Sequence, residues 1–291
     1  MLKLMVNQLR LERMTHPESV SLREQLWSPV QNTAAWLGWW AHGAINTDEL
    51  IDAFAAVQGK AHSFIPDANL GDSPARPGIT EMLRFVRAAT DGAPVGVEQR
   101  PLVSLSLTGP GDAAFVPAGS DAARELIAAG AGLVVADADP DVTHVLIPSV
   151  HPEGIVEWRH IRAVGPTAAL PVYSPGEADQ MLREASDRAT QLIRASGYVP
   201  QGRSQVDRAR LAVGALHDAF GLPGLPPGMA PRAAGLMARA DTVAAIVEVT
   251  KSSHVAASVD PHVLPLMRAV RTARMVAIDY AMRELVREQL S

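Results

Sequence analysis

Residues 130–161 read GAGLVVADADPDVTHVLIPSVHPEGIVEWRHI, three apolar runs separated by acidic and Pro/Gly-rich turns. Leu133–Ala136, His144–Ile147 and Ile155–Ile161 are short, rich in Val, Leu and Ile, and bounded by turn residues, the pattern of buried strands. The connections between them are too short for crossover helices, so the three runs are expected to form an antiparallel meander. Leu102–Leu107 is a fourth run of the same kind. A helix capped by Ser120 and ended by Gly130 separates it from the meander. A small mixed, mainly antiparallel sheet is predicted.

Helices flank this sheet on both sides in sequence. Upstream, Thr15 and Glu18 have capping-box spacing and start a helix to about Leu26; Ser28-Pro29 starts a second, which Gly43 ends. Asn46 with Glu49 starts a third that runs to about Val57, and a fourth spans Ile79 to Ala89. The Pro/Gly/Asp-rich residues Gly59 to Gly78 read as a connection. Downstream, Ser174-Pro175-Gly176-Glu177 combines an N-cap, Pro at N1 and Glu at N3. It opens the first of four helices, the others placed at Val206–Phe220, Arg232–Val259 and from Asp260-Pro261 to the end. The fold class is therefore α+β: N-terminal helices, the small sheet, and a C-terminal antiparallel helical bundle. The division expected is 14–172 for helices plus sheet (helices 18–89, strands 102–161) and 173–291 for the bundle, with residues 1–13 loosely ordered.

The bulk numbers fit a globular chain, with 47% apolar and 20% charged residues in 291. A net charge of −5 and a pI near 6.0 offer no clustered basic surface for phosphate backbones or anionic lipid. The absence of cysteine excludes disulfides, thiolate nucleophiles and Cys-ligated metals. Lys3, Arg10 and Arg13 interrupt the first apolar residues, so a signal peptide is not expected and a cytoplasmic setting is. Nor does any apolar run approach the roughly 20 residues of a membrane span.

Several residue groups carry chemistry worth weighing. His144, His151, Glu153 and His160 put three imidazoles and a carboxylate within seventeen residues, a donor set suited to Zn²⁺, Ni²⁺ or Fe²⁺. The spacing matches no metal motif, and His160 follows Val156 and Trp158 on the buried face of its strand, where a histidine ordinarily hydrogen-bonds a carbonyl. Asp137, Asp139 and Asp141 resemble the start of a calcium loop, but Pro140 and Val142 favour an acidic turn. Gly109-Pro110-Gly111-Asp112 lies between a strand and a helix, where glycines can admit a phosphate, yet it lacks both glycine-motif spacings and reads as a plain turn. Trp36, Trp39 and Trp40, with His42 just after, share a helix and are candidates for core packing or for an interaction surface. Arg268, Arg271 and Arg274 recur at i, i+3 and i+6 on the last helix and read as a solvated basic face. Nucleophile-elbow, S-x-x-K and H-E-x-x-H motifs are missing.

Taken together, AAWLGWWAHGAINTDELIDAF, the strand–GPGD–helix unit and GAGLVVAD…THVLIPS…EWRHI resemble an uncharacterised actinobacterial protein family. Its members share a WLGWW helix, a PGD turn and an LVP/W strand meander; here Ile147-Pro148 departs from the usual valine before proline. The resemblance spans roughly residues 20 to 200 and implies a cytosolic actinobacterial origin, without an activity or a catalytic residue. The leading expectation is a non-enzymatic protein-interaction or regulatory protein, with a protein partner or self-association and no nucleic acid, membrane or cofactor. One alternative is a metal-assisted hydrolase using a divalent metal at His144, His151, Glu153 and His160. The other is a small-ligand sensor, marked by a pocket of roughly 300 Å³ or more with a few inward polar groups.

Overall fold

The chain is described from a computed structural model covering residues 29–67, 77–151, 153–167, 173–195, 211, 213–214, 224–252 and 256–291. The helix predicted over 18–26 and residues 1–13 lie outside these, as does nearly all of the helix predicted over 206–220.

Helix α1 (Pro29–Ala41) begins with proline at its first position, where a missing N–H costs nothing. It ends at Gly43, whose φ of 73° lets Ala44 N–H reach the Trp39 carbonyl (2.8 Å) and Gly43 N–H the Trp40 carbonyl (2.9 Å), a Schellman closure. Helix α2 (Thr47–Gln58) opens on a complete capping box, Asn46 and Glu49 each accepting the other's backbone N–H at 2.9 Å. Then comes a strand that the sequence hides, β1 (His62–Ile65). It pairs in parallel with the last strand at the sheet's edge, placing Phe64 opposite Trp158. Four residues with one buried apolar side chain carry too little periodicity to separate from the surrounding connection, so the expected loop over 59–78 is corrected here.

After α3 (Ile79–Thr90), the strands β2 (Val103–Leu107), β3 (Ala131–Ala136), β4 (Val142–Val150) and β5 (Val156–Val164) form the antiparallel part of a sheet ordered β1-β5-β4-β3-β2. Helix α4 (Asp121–Ala129) lies between β2 and β3, capped by the Ser120 hydroxyl on Ala123 N–H and closed by Gly130 in the left-handed region. The sheet is buried on both faces. Leu105, Leu133, Val135 and Leu146 belong to the main core with α1 and the C-terminal helices, while Val134, Val145 and Ile147 pack with α4 residues such as Leu126. Double-sided burial explains why these strands read as continuous apolar runs. On β5 the alternation survives, with Val156, Trp158 and His160 buried and Arg159 exposed.

The C-terminal helices are α5 (Pro175–Ala195), α6 (Pro231–Ser252) and α7 (Ala256–Leu290). The boundary between the last two is corrected: α7 begins at Ala256 and continues through Pro261 and Pro265 rather than starting at Asp260. Each proline removes one helical hydrogen bond, but Val263, Leu266, Met267 and Val270 are all buried just beyond, and that packing holds the helix together. At 35 residues α7 is about 52 Å long, and it contacts α1, β2, α5 and α6. Among the described residues no helix is long and apolar enough to cross a membrane.

The tryptophans of α1 tie this layer to the 224–230 segment. Trp36 Nε1 donates to the Gly224 carbonyl (3.1 Å), Trp39 Nε1 to the Pro227 carbonyl (2.8 Å) and Trp40 Nε1 to Thr47 Oγ1 (3.0 Å). Trp39 and Trp40 are buried, and the Arg87 guanidinium sits 4.1 Å over the Trp40 ring. Trp39→Ala is expected to cost about 3–5 kcal/mol through cavity formation, whereas Trp36→Phe, which loses chiefly one hydrogen bond, should cost about 1 kcal/mol. Urea unfolding of the two variants checks this, and equal losses would refute the assignment of Trp39 to the core.

Candidate functional site

Beyond β2 the chain turns through Thr108-Gly109-Pro110-Gly111-Asp112. Gly111 adopts φ 80°, a conformation that side chains strain, and Asp112 N–H closes the turn on the Gly109 carbonyl at 3.0 Å. The turn thereby presents the Asp112 carboxylate to α7. Its Oδ2 accepts from Arg271 Nε (2.7 Å) and Nη2 (2.6 Å), and its Oδ1 accepts from Arg268 Nε (3.0 Å). The Arg271 and Asp112 side chains are only 3% and 9% exposed. Gly109 makes the room, since a Cβ there would stand 2.5 Å from the guanidinium carbon. What the glycines of this turn admit is an arginine of the chain itself.

One turn further along α7, Arg274 Nη2 donates to Asp241 Oδ1 of α6 at 2.8 Å, and both side chains are buried. The expected solvated face is therefore corrected: of Arg268, Arg271 and Arg274, only Arg268 is exposed. The partners, Asp112 and Asp241, lie 159 and 33 residues from their arginines, so no local spacing announces them. The single sequence signal is Asp241 itself, an acid inside an apolar helix that needs a buried cation.

The Arg268–Asp112 pair borders a cleft of about 460 Å³ between the 107–115 segment, α5 and α7. Its walls are largely apolar, including Phe115, Met181 and Met275, with Tyr173, Glu184, Arg188 and Asp279 as further polar lining. Asp279 accepts from Arg283 Nε at 2.8 Å, and Glu184 accepts from Gln180 at 2.8 Å. Arg188 is exposed and makes no ion pair or hydrogen bond among the described residues. Asp279 is held by Arg283, and the two lining charges without an ion pair among the described residues, Arg188 and Glu184, are of opposite sign, so the cleft's surplus of one positive charge comes from the two guanidiniums that share Asp112.

A second polar arrangement runs across the sheet. His144 Nε2 meets Asp137 Oδ2 at 2.8 Å, His144 Nδ1 meets His160 Nε2 at 2.9 Å, and His160 Nδ1 accepts from Asp67 N–H at 3.2 Å. The amide at one end fixes every proton position. His160 Nδ1 must carry a lone pair, so its Nε2–H donates to His144 Nδ1, and His144 Nε2–H donates to the Asp137 carboxylate. Phe85 of α3 covers the pair, 4.2 Å from the His160 ring centroid and edge-on to His144 at 5.2 Å. Burial, with the neighbouring His144 and Arg162 outweighing the opposing pull of Asp67, lowers the His160 pKa to about 4. Burial pushes Asp137 up, but hydrogen bonds from Asp139 N–H and His144, with the nearby Arg162 charge, outweigh it and hold the carboxyl below its usual value.

The four residues considered as metal ligands thus separate into two places. His144 and His160 meet inside the sheet, with each ring nitrogen already in a hydrogen bond. His151 and Glu153 lie at the β4–β5 turn, seven residues or about 23 Å along the strand from His144, with His151 Nε2 3.1 Å from Glu157 Oε2. Among the described residues no three His, Asp or Glu side chains converge to hold a metal ion. The acidic turn is built from its own carboxylates: Asp137 accepts from Asp139 N–H and Asp139 from Asp141 N–H, at 2.9 and 3.0 Å. His42 is half-buried at the end of α1, where burial lowers its pKa.

Two family models match the chain: the Rv1486c-like protein N-terminal domain over residues 31–172, and the Rv1486c-like protein C-terminal domain over residues 176–275. Relatives from two strains of Mycobacterium tuberculosis, named uncharacterized proteins Rv1486c and MT1533, are each 25% identical over 290 residues, covering 87% of this chain and 96% of the relative. No solved structure matches. The cleft draws on both matched segments, with Asp112 and Phe115 from the first and Met181, Arg188 and Arg268 from the second.

Two outcomes are expected from this geometry. Asp112→Asn should cost about 3–5 kcal/mol by leaving Arg271 buried without its counter-charge, and Gly109→Ala about 1–3 kcal/mol by displacing the same guanidinium. A Gly109→Ala protein as stable as the parent in urea would contradict the contact. The second concerns pH. Since the folded state lowers the His160 pKa from 6.5 to about 4, its contribution is fully present above about pH 6.5 and is lost as pH falls toward 4, roughly 3 kcal/mol in all. His160→Gln, which does not titrate, should flatten the fall of unfolding free energy across that window; an unchanged slope would assign the loss to other groups.

Proposed function

We propose that the chain, matched by the Rv1486c-like N-terminal and C-terminal domain models over residues 31–172 and 176–275, works at the cleft where those two segments meet, and that it is a non-enzymatic, small-ligand-binding regulatory protein. The observation that carries this reading is the cleft itself. Its volume of about 460 Å³ falls in the range of metabolite sites, and its composition, apolar walls with a few polar groups, is the usual one. Junctions of this kind are preferred ligand sites because two surfaces can close on one molecule.

The charge arithmetic suggests the ligand's character. Asp112 and Asp279 are neutralised by arginines, so they are poorly placed to take a proton from a substrate. Arg188 has no ion pair among the described residues but is offset by Glu184, while Arg268 and Arg271 share the single carboxylate of Asp112 and leave one positive charge over. A molecule with an apolar body and one anionic group fits these walls best. In this reading ligand binding sets the spacing of α5 and α7, a protein partner or a second copy of the chain reads the change, and the setting is the cytoplasm.

Native mass spectrometry of the freshly purified chain tests the proposal. A retained small molecule is expected, lost in Ala185→Trp, which fills the cleft, and weakened at least about tenfold in Arg188→Gln, the worth of one charged hydrogen bond. A molecule retained equally by both variants would place the site elsewhere and overturn the reading.

A further inference from the structure

Arg100 stands three residues before β2, and its guanidinium lies where three separate segments meet. Nη1 donates to Thr143 Oγ1 of β4 at 3.1 Å and to Thr167 Oγ1, beyond β5, at 3.4 Å; Nη2 approaches the Phe115 carbonyl at 3.5 Å. The two hydroxyl oxygens are 3.2 Å apart, and Thr143 is fully buried. Arg100 is itself mostly buried, and burial alone lowers its pKa. Unlike Arg271 and Arg274, each within 3 Å of an aspartate, Arg100 has no carboxylate partner among the described residues. A guanidinium taken largely out of water without a counter-ion is costly, and proteins ordinarily pair it.

The donor count shows what is missing. A guanidinium has five N–H groups, of which three are directed at Thr143, Thr167 and Phe115, leaving Nε–H and one Nη2–H. Each threonine hydroxyl accepts from Nη1. One of them also donates to the other, so the second has its proton free. Two N–H donors of the guanidinium therefore have no acceptor among the described residues, while the two hydroxyls hold it from the Nη1 side. That is a complement to a group carrying only acceptors and a negative charge. We propose that Arg100, positioned by Thr143 and Thr167, is an oxyanion-binding residue whose free N–H groups take a phosphoryl or carboxylate group. The site is separate from the cleft but touches it through Phe115, whose carbonyl Arg100 holds and whose residue lines the cleft wall.

The test follows the Arg100 Nε–Hε resonance of the ¹⁵N-labelled full chain, assigned by its loss in Arg100→Lys. Inorganic phosphate, acetate and chloride are titrated at matched ionic strength. A saturable shift with phosphate or with acetate, absent with chloride, is expected, and the oxyanion that saturates first distinguishes a phosphoryl from a carboxylate ligand. Thr167→Val, which removes one hydroxyl and keeps the charge, should weaken that binding about three- to tenfold, the worth of a single hydrogen bond. A response to both oxyanions no different from chloride, or an oxyanion affinity unmoved in Thr167→Val, would overturn the site.

Discussion

The buried guanidiniums of α7 fix how the helices sit on the sheet. Arg271 reaches the turn after β2, Arg274 reaches α6, and each meets its aspartate where almost no water reaches. Such pairs add little net stability, because removing two charges from water offsets most of their attraction. Their effect is on alternatives. Sliding α7 by one turn along β2 would separate both pairs at once and strand buried charges, so the apolar surfaces have only one register in which they can be buried. The cleft inherits this precision, since Arg268 and Met275 on its α7 wall flank the two anchors in sequence.

That constraint also explains what could be read in the sequence and what could not. The meander of β3, β4 and β5, the helix closed by Ser120 and Gly130, and the capping box at Asn46 rest on residues close together in sequence, and all are where periodicity and capping place them. The short strand β1 is different. Its place is set by parallel pairing with β5, about ninety residues later. The arginines of α7 fail for the same reason, because i, i+3, i+6 spacing describes a helix surface only if nothing distant covers it.

The histidines show a subtler limit. Alternation along β5 correctly places His160 on the buried face, but its partner is His144 on the neighbouring strand rather than a carbonyl. In the antiparallel register His160 is paired with Leu146 and His144 with Arg162, so the two imidazoles are diagonal neighbours on one face. Register decides that, and register depends on turn geometry that composition does not fix. The two rings, running from the Asp67 amide to the Asp137 carboxylate, then have every ring nitrogen in a hydrogen bond, which is the condition for burying polar groups beneath Phe85 without loss.

Four arginines on this half of the molecule divide by the fate of their charge. Arg271 and Arg274 are neutralised from within and act as fasteners. Arg188 and Arg100 have no acidic partner among the described residues, one at the rim of a cleft and the other beneath two hydroxyls. Desolvation affects these two unequally: Arg188 remains in water and loses little without a ligand, whereas Arg100 is already largely stripped of solvent and gains from any anion that reaches it. An oxyanion at Arg100 should therefore bind with less dependence on ionic strength than one at Arg188, because salt screens exposed charges far more than enclosed ones. Since Phe115 belongs to both places, an anion that draws Nη2 from its carbonyl also loosens one wall of the cleft, giving the two sites a physical route of communication through a single residue.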